Sequence, residues 1–187
     1  MRSSQRRKCT ALLLLAASGL VGCHGTGAAV AAAGRSSMEL TSFSFRDGRI
    51  PNEFTCDGAG GSPQLAWTAP PATAVSLALV VTDPDAPGGT FVHWVLYDLP
   101  ASLRALPTAL PTLGQLPDGS RQGHNDFGNL GYGGPCPPGH STHRYVFDLY
   151  ALDAPLNLPP GATRKQVAAA MQGHILARGE LIGRYSR

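Results

Sequence analysis

The feature that most constrains the fold of this chain is a pair of apolar runs joined by a loop that begins with two carboxylates. Residues 80–100 read VVTDPDAPGGTFVHWVLYDLP, so Asp83 and Asp85 stand where the first run ends and His93 stands inside the second. Apolar runs of this length, bounded by Gly and Pro, are typical of buried β-strands. Carboxylates beside buried strands are costly unless they are paired, hydrogen-bonded or used in a function.

Other short apolar runs extend this pattern and predict a mainly β fold. The chain has 23 Gly and 16 Pro among its 187 residues, which provide many turns. One helix is predicted to begin after Thr163, which forms a capping box with Gln166, to bury His174 on its apolar stripe and to end near Gly179. The predicted strands are 38–45, 64–68, 75–82, 91–97, 143–152 and 180–185.

The charge pattern argues against a nucleic-acid-binding protein. The formal net charge is +3, but Arg2, Arg6, Arg7 and Lys8 all lie in the first eight residues. From Cys23 onward 11 basic and 12 acidic side chains remain, so the body of the chain is nearly neutral. A nucleic-acid partner requires a basic face, and we expect no such partner.

The N-terminus has the pattern of an export signal. Basic residues precede an apolar run at 10–21 that is too short to span a membrane comfortably. The letters LVGC end at Cys23 and resemble a bacterial lipobox, in which the Cys is lipidated. We predict a lipoprotein-type signal peptide at 1–22, a flexible tether at 23–37 and one folded domain at 38–187. The alternative is ordinary signal cleavage in the Ala-rich segment that follows, with Cys23 discarded.

The predicted location is the periplasmic face of the outer membrane, with the lipid anchor as the only membrane contact. In enterobacterial lipoproteins an Asp after the lipidated Cys favours the inner membrane, and here that position is His24. Export to an oxidising compartment also allows Cys56 and Cys136 to form a disulfide. Two separately buried thiols are the alternative, and spacing does not decide between them.

Strand alternation brings several polar side chains to one place. His93 opens one face of its predicted strand, and His143 and Tyr145 share a face of another. If both strands belong to one sheet, these side chains open into a pocket near Asp83 and Asp85, with a Gly-rich loop at its rim.

Such a pocket has four interpretations. His and carboxylate side chains can bind a metal ion, although no tight ligand spacing such as H-x-H occurs. An Asp–His pair can perform acid–base catalysis, although the nearby Ser141 and Thr142 form no nucleophile elbow. A His charged by a neighbouring carboxylate can hold a phosphate, and a free carboxylate can meet an ammonium. An Asp–His hydrogen-bond network can also simply tie two loops together.

At these residues the sequence resembles the phosphatidylethanolamine-binding proteins, also called Raf kinase inhibitor-like proteins, and in particular their bacterial branch. One motif is DPDAP at 83–87, followed by HW at 93–94; the other is GYGGPCPPGH at 131–140, followed by HRY at 143–145. The resemblance covers residues 38–187. It implies a large antiparallel sheet packed on a smaller sheet, with Greek-key connections and peripheral helices. It also implies an anion pocket formed by Asp83, Asp85, Pro87, His93, Gly134, Pro135, His143 and Tyr145.

We therefore expect a non-enzymatic protein that binds a small anionic or zwitterionic ligand, such as phosphate or a phospholipid headgroup, without a metal or cofactor. His93 and His143 would bind the anion, while Asp83 and Asp85 would orient and charge them. An inhibitor of a protease or kinase that acts through surface loops is the first alternative. A weak hydrolase or metal enzyme that uses the same residues is the second. We also expect Arg144 to form an ion pair with an acidic neighbour.

Overall fold

The computed structural model describes residues 36–187. The predicted signal peptide, the predicted lipidation at Cys23 and nearly all of the predicted tether lie outside the described residues. A 3-10 helix spans Asn52–Phe54, and the α-helix α1 spans Arg164–Ala170. The strands are β1 Ser36–Ser37, β2 Leu40–Thr41, β3 Leu65–Trp67, β4 Ser76–Asp83, β5 Phe91–Pro100, β6 Ala105–Leu106, β7 Arg121–Gln122, β8 His143–Leu152 and β9 Ile175–Tyr185.

Six strands form one large sheet in the order β1-β9-β8-β4-β5-β7. Neighbouring strands in this sheet are antiparallel except β1 and β9, which are parallel. Strands β4, β5 and β7 follow one another across the sheet, and β8 then returns to pair with the free side of β4. This spatial order is a Greek key. The other three strands form a small antiparallel sheet in the order β2-β3-β6.

The small sheet packs on one face of the large sheet, and the helix packs on the other. Because side chains alternate across a strand, Leu77, Leu79 and Val81 of β4 share a core with Leu65 and Trp67 of the small sheet. All eight residues of β4 are buried, which explains why its residues 77–81 form an uninterrupted apolar run. The fold is mainly β, with a large sheet on a smaller one. The core on the helix side consists of Ala78, Val92, Val95, Tyr97, Leu152, Ala162, Val167 and Met171.

Strand prediction was most accurate in the centre of the large sheet. β8 spans the predicted residues 143–152, whereas the strand predicted at 38–45 is reduced to β2. The reason is a turn, in which the N–H of Phe45 donates to the carbonyl oxygen of Ser42 at 3.2 Å. β1, at the end of the predicted tether, pairs with β9.

The predicted helix has the correct start and the wrong end. Thr163 and Gln166 form the expected capping box, but α1 is only seven residues long. Gly173, with a φ of +83°, has the left-handed conformation that commonly follows the end of a helix. Gly179 instead lies inside β9, where an added Cβ would come within 2.8 Å of the carbonyl oxygen of Met38.

The early end of the helix also changes the environment of His174. This side chain was expected on the buried stripe of the helix, but it lies beyond the helix and is exposed. Its Nδ1 lies 2.7 Å from Oδ1 of Asp153. His174 and Asp153 therefore form a pair on the protein surface.

Candidate functional site

A cavity of about 200 Å³ lies at the edge of the large sheet where β4 ends and β5 and β8 begin. Because β4 is antiparallel to both neighbours, its last residues lie beside the first residues of the other two strands. Loops that follow β4 and precede β8 complete the wall. The predicted ligand residues that line this cavity are Asp83, Pro87, His93, His143 and Tyr145.

Asp83 and His143 form a buried pair in the cavity wall. Oδ2 of Asp83 lies 2.8 Å from Nδ1 of His143, and both side chains are almost completely buried. Oδ1 of Asp83 accepts the backbone N–H of Asp85 at 2.8 Å. Because a carboxylate only accepts hydrogen bonds, Nδ1 of His143 carries a proton. Nε2 is the ring nitrogen that remains for a ligand.

His93 is oriented by the backbone rather than by a carboxylate. Its Nδ1 lies 2.7 Å from the carbonyl oxygen of Gly133, which only accepts, so Nδ1 is the protonated nitrogen. Three aromatic rings surround the imidazole, with centroid distances of 5.1 Å to Tyr145, 5.2 Å to Phe91 and 5.4 Å to Phe127. Nε2 of His93 is again the nitrogen that remains for a ligand.

Burial lowers the pKa of His93 below its ordinary value, because an apolar environment disfavours the imidazolium. The hydrogen bond to Gly133 and the negative charges of Asp83 and Asp126 oppose this shift without reversing it. His93 is therefore neutral near pH 7, and its Nε2 is a hydrogen-bond acceptor. The prediction that a neighbouring carboxylate keeps both imidazoles protonated is therefore wrong for His93.

The hydroxyl of Tyr145 is a buried group that has no hydrogen-bond partner within residues 36–187. Tyr145 lies on β8, is 1% exposed and lines the cavity. Burial raises the pKa of this phenol, and the charge of Asp83 raises it further. Leaving such a group unpaired costs roughly 1–3 kcal/mol. Nε2 of His93 and Nε2 of His143 likewise have no protein partner in the described part of the chain.

Asp85 does not line the cavity, although it was predicted as a ligand residue. Its Oδ2 accepts the backbone N–H and the Nε–H of Arg144 at 2.9 Å, and its Oδ1 accepts from Nη2 at 2.7 Å. These hydrogen bonds lower the pKa of Asp85 to about 2. The predicted ion pair of Arg144 is confirmed, but it uses a carboxylate that had been assigned to the histidines.

Gly134 and Pro135 also lie outside the cavity lining and hold their loop against the 3-10 helix. An added Cβ on Gly134 would lie 2.8 Å from the carbonyl oxygen of Phe54, so the two backbones are in close contact. The carbonyl oxygen of Pro135 accepts the N–H of Cys56 at 3.0 Å. Cys56 and Cys136 form a disulfide, the pairing that the sequence left open against two buried thiols.

Several lining residues were not predicted as part of the site. Phe91 was detectable, because it shares a face of β5 with His93. Phe127 was not, because it belongs to an irregular loop in which the side chain of Asn125 accepts its N–H at 3.0 Å. The additional lining residues are Ala86, Phe91 and Phe127, together with Cys136, Pro137 and Pro138 from the Gly-rich loop that was predicted to form the rim.

Comparison with known proteins identifies the family. Residues 41–186 match the family model described as phosphatidylethanolamine-binding protein (PEBP). The chain belongs to the PEBP family. A UPF0098 protein of Methanothermobacter thermautotrophicus is 51% identical over 151 residues, which cover 80% of this chain and 99% of that protein. A Mycobacterium tuberculosis protein named "Putative lipoprotein LppC" is 43% identical over 150 residues, which cover 79% of this chain and 72% of that protein.

Solved structures agree with this assignment. A PEBP homologue from Chlamydia trachomatis matches with a TM-score of 0.73 and 40% identity, and the match covers 81% of this chain and 98% of the other. Escherichia coli YbcL, described as a member of the mammalian PEBP family, also has a TM-score of 0.73, at 30% identity, with 81% and 99% covered. The resemblance inferred from the motifs and the predicted fold class are therefore confirmed.

Two observations complete the description of residues 36–187. No helix in this part of the chain has the length and apolar character that a membrane span requires. No cluster of three or more His, Cys, Asp or Glu side chains in the same range is arranged to hold a metal ion.

Proposed function

We propose that this PEBP-family protein is a non-enzymatic binding protein whose cavity holds the phosphoryl group of a small ligand. The observation that carries the proposal is that three unpartnered polar groups line one cavity: Nε2 of His93, Nε2 of His143 and the hydroxyl of Tyr145. Buried polar groups are normally hydrogen-bonded, so the buried hydroxyl of Tyr145, beside two imidazole nitrogens that have no protein partner, marks a place for a polar ligand.

The size of the cavity supports a small ligand. Its volume of about 200 Å³ corresponds to roughly six or seven water molecules at about 30 Å³ each. A phosphoryl group with a short substituent fits this space, whereas the acyl chains of a lipid do not. The walls contributed by Phe91, Phe127 and Pro137 are apolar, and such surroundings strengthen each hydrogen bond to the ligand.

The carboxylates support an anionic ligand rather than an ammonium. Asp83 already accepts from His143 and from the backbone of Asp85, and Asp85 is fully engaged by Arg144. Each oxygen of both carboxylates therefore already accepts at least one hydrogen bond from the protein. His143 meets the ligand through Nε2, while Asp83 holds the opposite ring nitrogen, Nδ1, at 2.8 Å.

The composition of the wall supports binding over covalent catalysis. The lining residues include no Ser, Thr or Lys, and Cys136 is committed to its disulfide. A Ser, Thr, Lys or free Cys nucleophile is thus absent from the described wall.

Titration of the ring nitrogens by nitrogen-15 NMR tests the proposal. We expect phosphate and phosphoethanolamine at millimolar concentration to shift the resonances of His93 and His143, and ethanolamine to have no effect. The exposed His174 is an internal control that should not respond. Tyr145→Phe should fold normally and bind phosphate about tenfold more weakly or worse, because it removes one hydrogen bond to a charged group. No response to either phosphate ligand, or a response to ethanolamine alone, would contradict the proposal.

We further propose that the protein is exported and held by a lipid on Cys23 at the periplasmic face of the outer membrane. The support is the LVGC motif at 20–23 and the name of the Mycobacterium tuberculosis relative. The intact mass of the membrane-extracted protein should show a mature chain that begins at acylated Cys23, and Cys23→Ser should release the protein from the membrane. A mature chain that begins later and carries no acyl mass would contradict the anchor.

A further inference from the structure

The ligand cavity contains no permanent cation. Its lining residues include neither Lys nor Arg, whereas Asp83 contributes a negative charge. The guanidinium of Arg144, which follows His143 in the chain, is committed to Asp85 by two side-chain hydrogen bonds. A positive charge beside a bound phosphoryl anion must therefore come from protonation of a lining side chain.

The two histidines differ in how they meet such an anion. His143 has Asp83 at its Nδ1, so an imidazolium there is balanced by the carboxylate. His93 has only the carbonyl oxygen of Gly133, which fixes its one proton on Nδ1 and leaves a lone pair on Nε2. A phosphoryl oxygen is also an acceptor, so it and Nε2 of His93 repel each other unless a proton lies between them.

The groups that face His93 allow this additional proton when an anion is present. They are Asp83 at the end of β4, Asp126 in the loop after β7, and His143 and Tyr145 on β8. The two carboxylates favour the imidazolium, while burial and His143 disfavour it, and in the ligand-free protein the neutral ring prevails. A bound anion adds a negative charge beside the ring and shifts this balance toward protonation.

We propose that the cavity prefers a phosphomonoester to a phosphodiester and binds it together with one proton, shared between a phosphoryl oxygen and Nε2 of His93. A monoester can carry this proton because its second ionisation has a pKa of about 6. A diester, such as an intact phospholipid headgroup, has no second ionisation, so its oxygens attract this proton far less strongly. This inference rests on the proposed function and adds the class of the ligand and the direction of its pH dependence.

The expected pH dependence follows from linkage. Above neutral pH the free monoester is mainly a dianion and free His93 is neutral, so binding must take one proton from solution at His93. Any proton taken up at His143 adds to this number. The affinity should then fall at least tenfold for each unit by which the pH rises. A site that binds the dianion without a proton would show a flat dependence in the same range.

Calorimetric titration with phosphoethanolamine, in buffers of different ionisation enthalpy, measures the protons taken up per ligand. Near pH 8 we expect a value of at least one, and at pH 7 we expect glycerophosphoethanolamine, the diester, to bind at least tenfold more weakly. In His93→Gln, whose amide donates without titrating, the uptake should fall by about one proton. His174→Gln removes an exposed histidine instead and should leave the uptake unchanged.

These measurements distinguish failure of phosphoryl binding from failure of the proton-linked preference for a monoester. If neither ester binds at millimolar concentration, the proposed function fails. If phosphoethanolamine binds without proton uptake, or if the diester binds equally well at pH 7, only the present inference is overturned. The measurements on the native protein decide this even if His93→Gln does not fold.

Discussion

Replacement of Asp83 by Asn tests the central hydrogen bond of the site, because Asn keeps the shape of the side chain and removes its charge. The native carboxylate accepts from Nδ1 of His143 and from the N–H of Asp85, each at 2.8 Å. The Asn oxygen can retain the bond to Asp85, but the Asn amide then places a donor against Nδ1 of His143. His143 must therefore move its proton from Nδ1 to Nε2.

The expected cost follows from the burial of this pair. A hydrogen bond to a charged group contributes roughly 1.5–3 kcal/mol, and the new neutral bond recovers roughly 0.5–1.5 kcal/mol. We expect Asp83→Asn to lower the free energy of unfolding by about 1.5 kcal/mol. Asp83→Ala loses both hydrogen bonds and leaves Nδ1 of His143 buried without a partner, so its cost should reach about 3–4 kcal/mol.

A second Asp–His pair provides the matched control. Asp153 and His174 pair at 2.7 Å, but both of these side chains are nearly half exposed. Solvent and salt screen an exposed pair, so Asp153→Asn should cost about 0.5 kcal/mol or less. Urea unfolding followed by tryptophan fluorescence gives the free energies, and nitrogen-15 NMR of the imidazoles gives the position of the proton.

Two results would refute this reasoning. Equal losses in Asp83→Asn and Asp153→Asn would show that burial does not determine the strength of the pair. A neutral His143 that carries its proton on Nε2 in the native protein would show that Asp83 does not fix the tautomer.

Three further predictions concern other parts of the structure. The pKa of His93 is lowered from 6.5 in the folded chain, so the unfolded chain binds more protons as the pH falls below neutral. The free energy of unfolding of the ligand-free protein should therefore decrease from about pH 7 to about pH 5. His93→Gln should weaken this pH dependence, measured by urea unfolding. Gly134→Ala should cost about 1–3 kcal/mol in thermal unfolding, because its Cβ meets backbone atoms, whereas Gly88→Ala, with no atom within 4 Å, should be nearly neutral. The double variant Cys56→Ser/Cys136→Ser opens a link across 80 positions and should lower the free energy of unfolding in urea by about 4–5 kcal/mol in the chain-entropy model.

Each of these predictions has a contradicting result. A pH profile that is unchanged by His93→Gln would assign the pH dependence to other groups. Equal melting temperatures for Gly134→Ala and Gly88→Ala would remove the argument from close backbone contact. A double Ser variant as stable as the native protein would show that the disulfide does not restrict the unfolded chain.

The centre of the fold could be predicted from the sequence because its signals are local. A strand buried on both faces contains a continuous apolar run, and residues 77–81 of β4 form such a run. Alternation then placed His143 and Tyr145 on one face of β8 without knowledge of the partner strands. The capping box of Thr163 and Gln166 likewise depends on only four neighbouring residues.

The partner of Asp85 could not be predicted in the same way. Asp83 and Asp85 are equivalent in the motif, and only the folded chain shows that one meets His143 and the other meets Arg144. The residues of the second pair lie 59 positions apart. Sequence periodicity fixes the face on which a side chain lies, but it does not determine which distant group lies opposite.

Long-range contacts explain the other errors. Gly179 was interpreted as the end of a helix, whereas its lack of a side chain accommodates the backbone of Met38 in the sheet. The neutral state of His93 depends on burial to which Phe127 contributes from an irregular loop. No periodic pattern in the sequence places that loop beside the imidazole.

The most direct test of this account is a crystal structure of the protein with phosphoethanolamine at slightly acidic pH. The account predicts phosphoryl oxygens at about 2.6–3.2 Å from Nε2 of His93, Nε2 of His143 and the hydroxyl of Tyr145. A saturating ligand that binds elsewhere, while only water lies between these three groups, would contradict it.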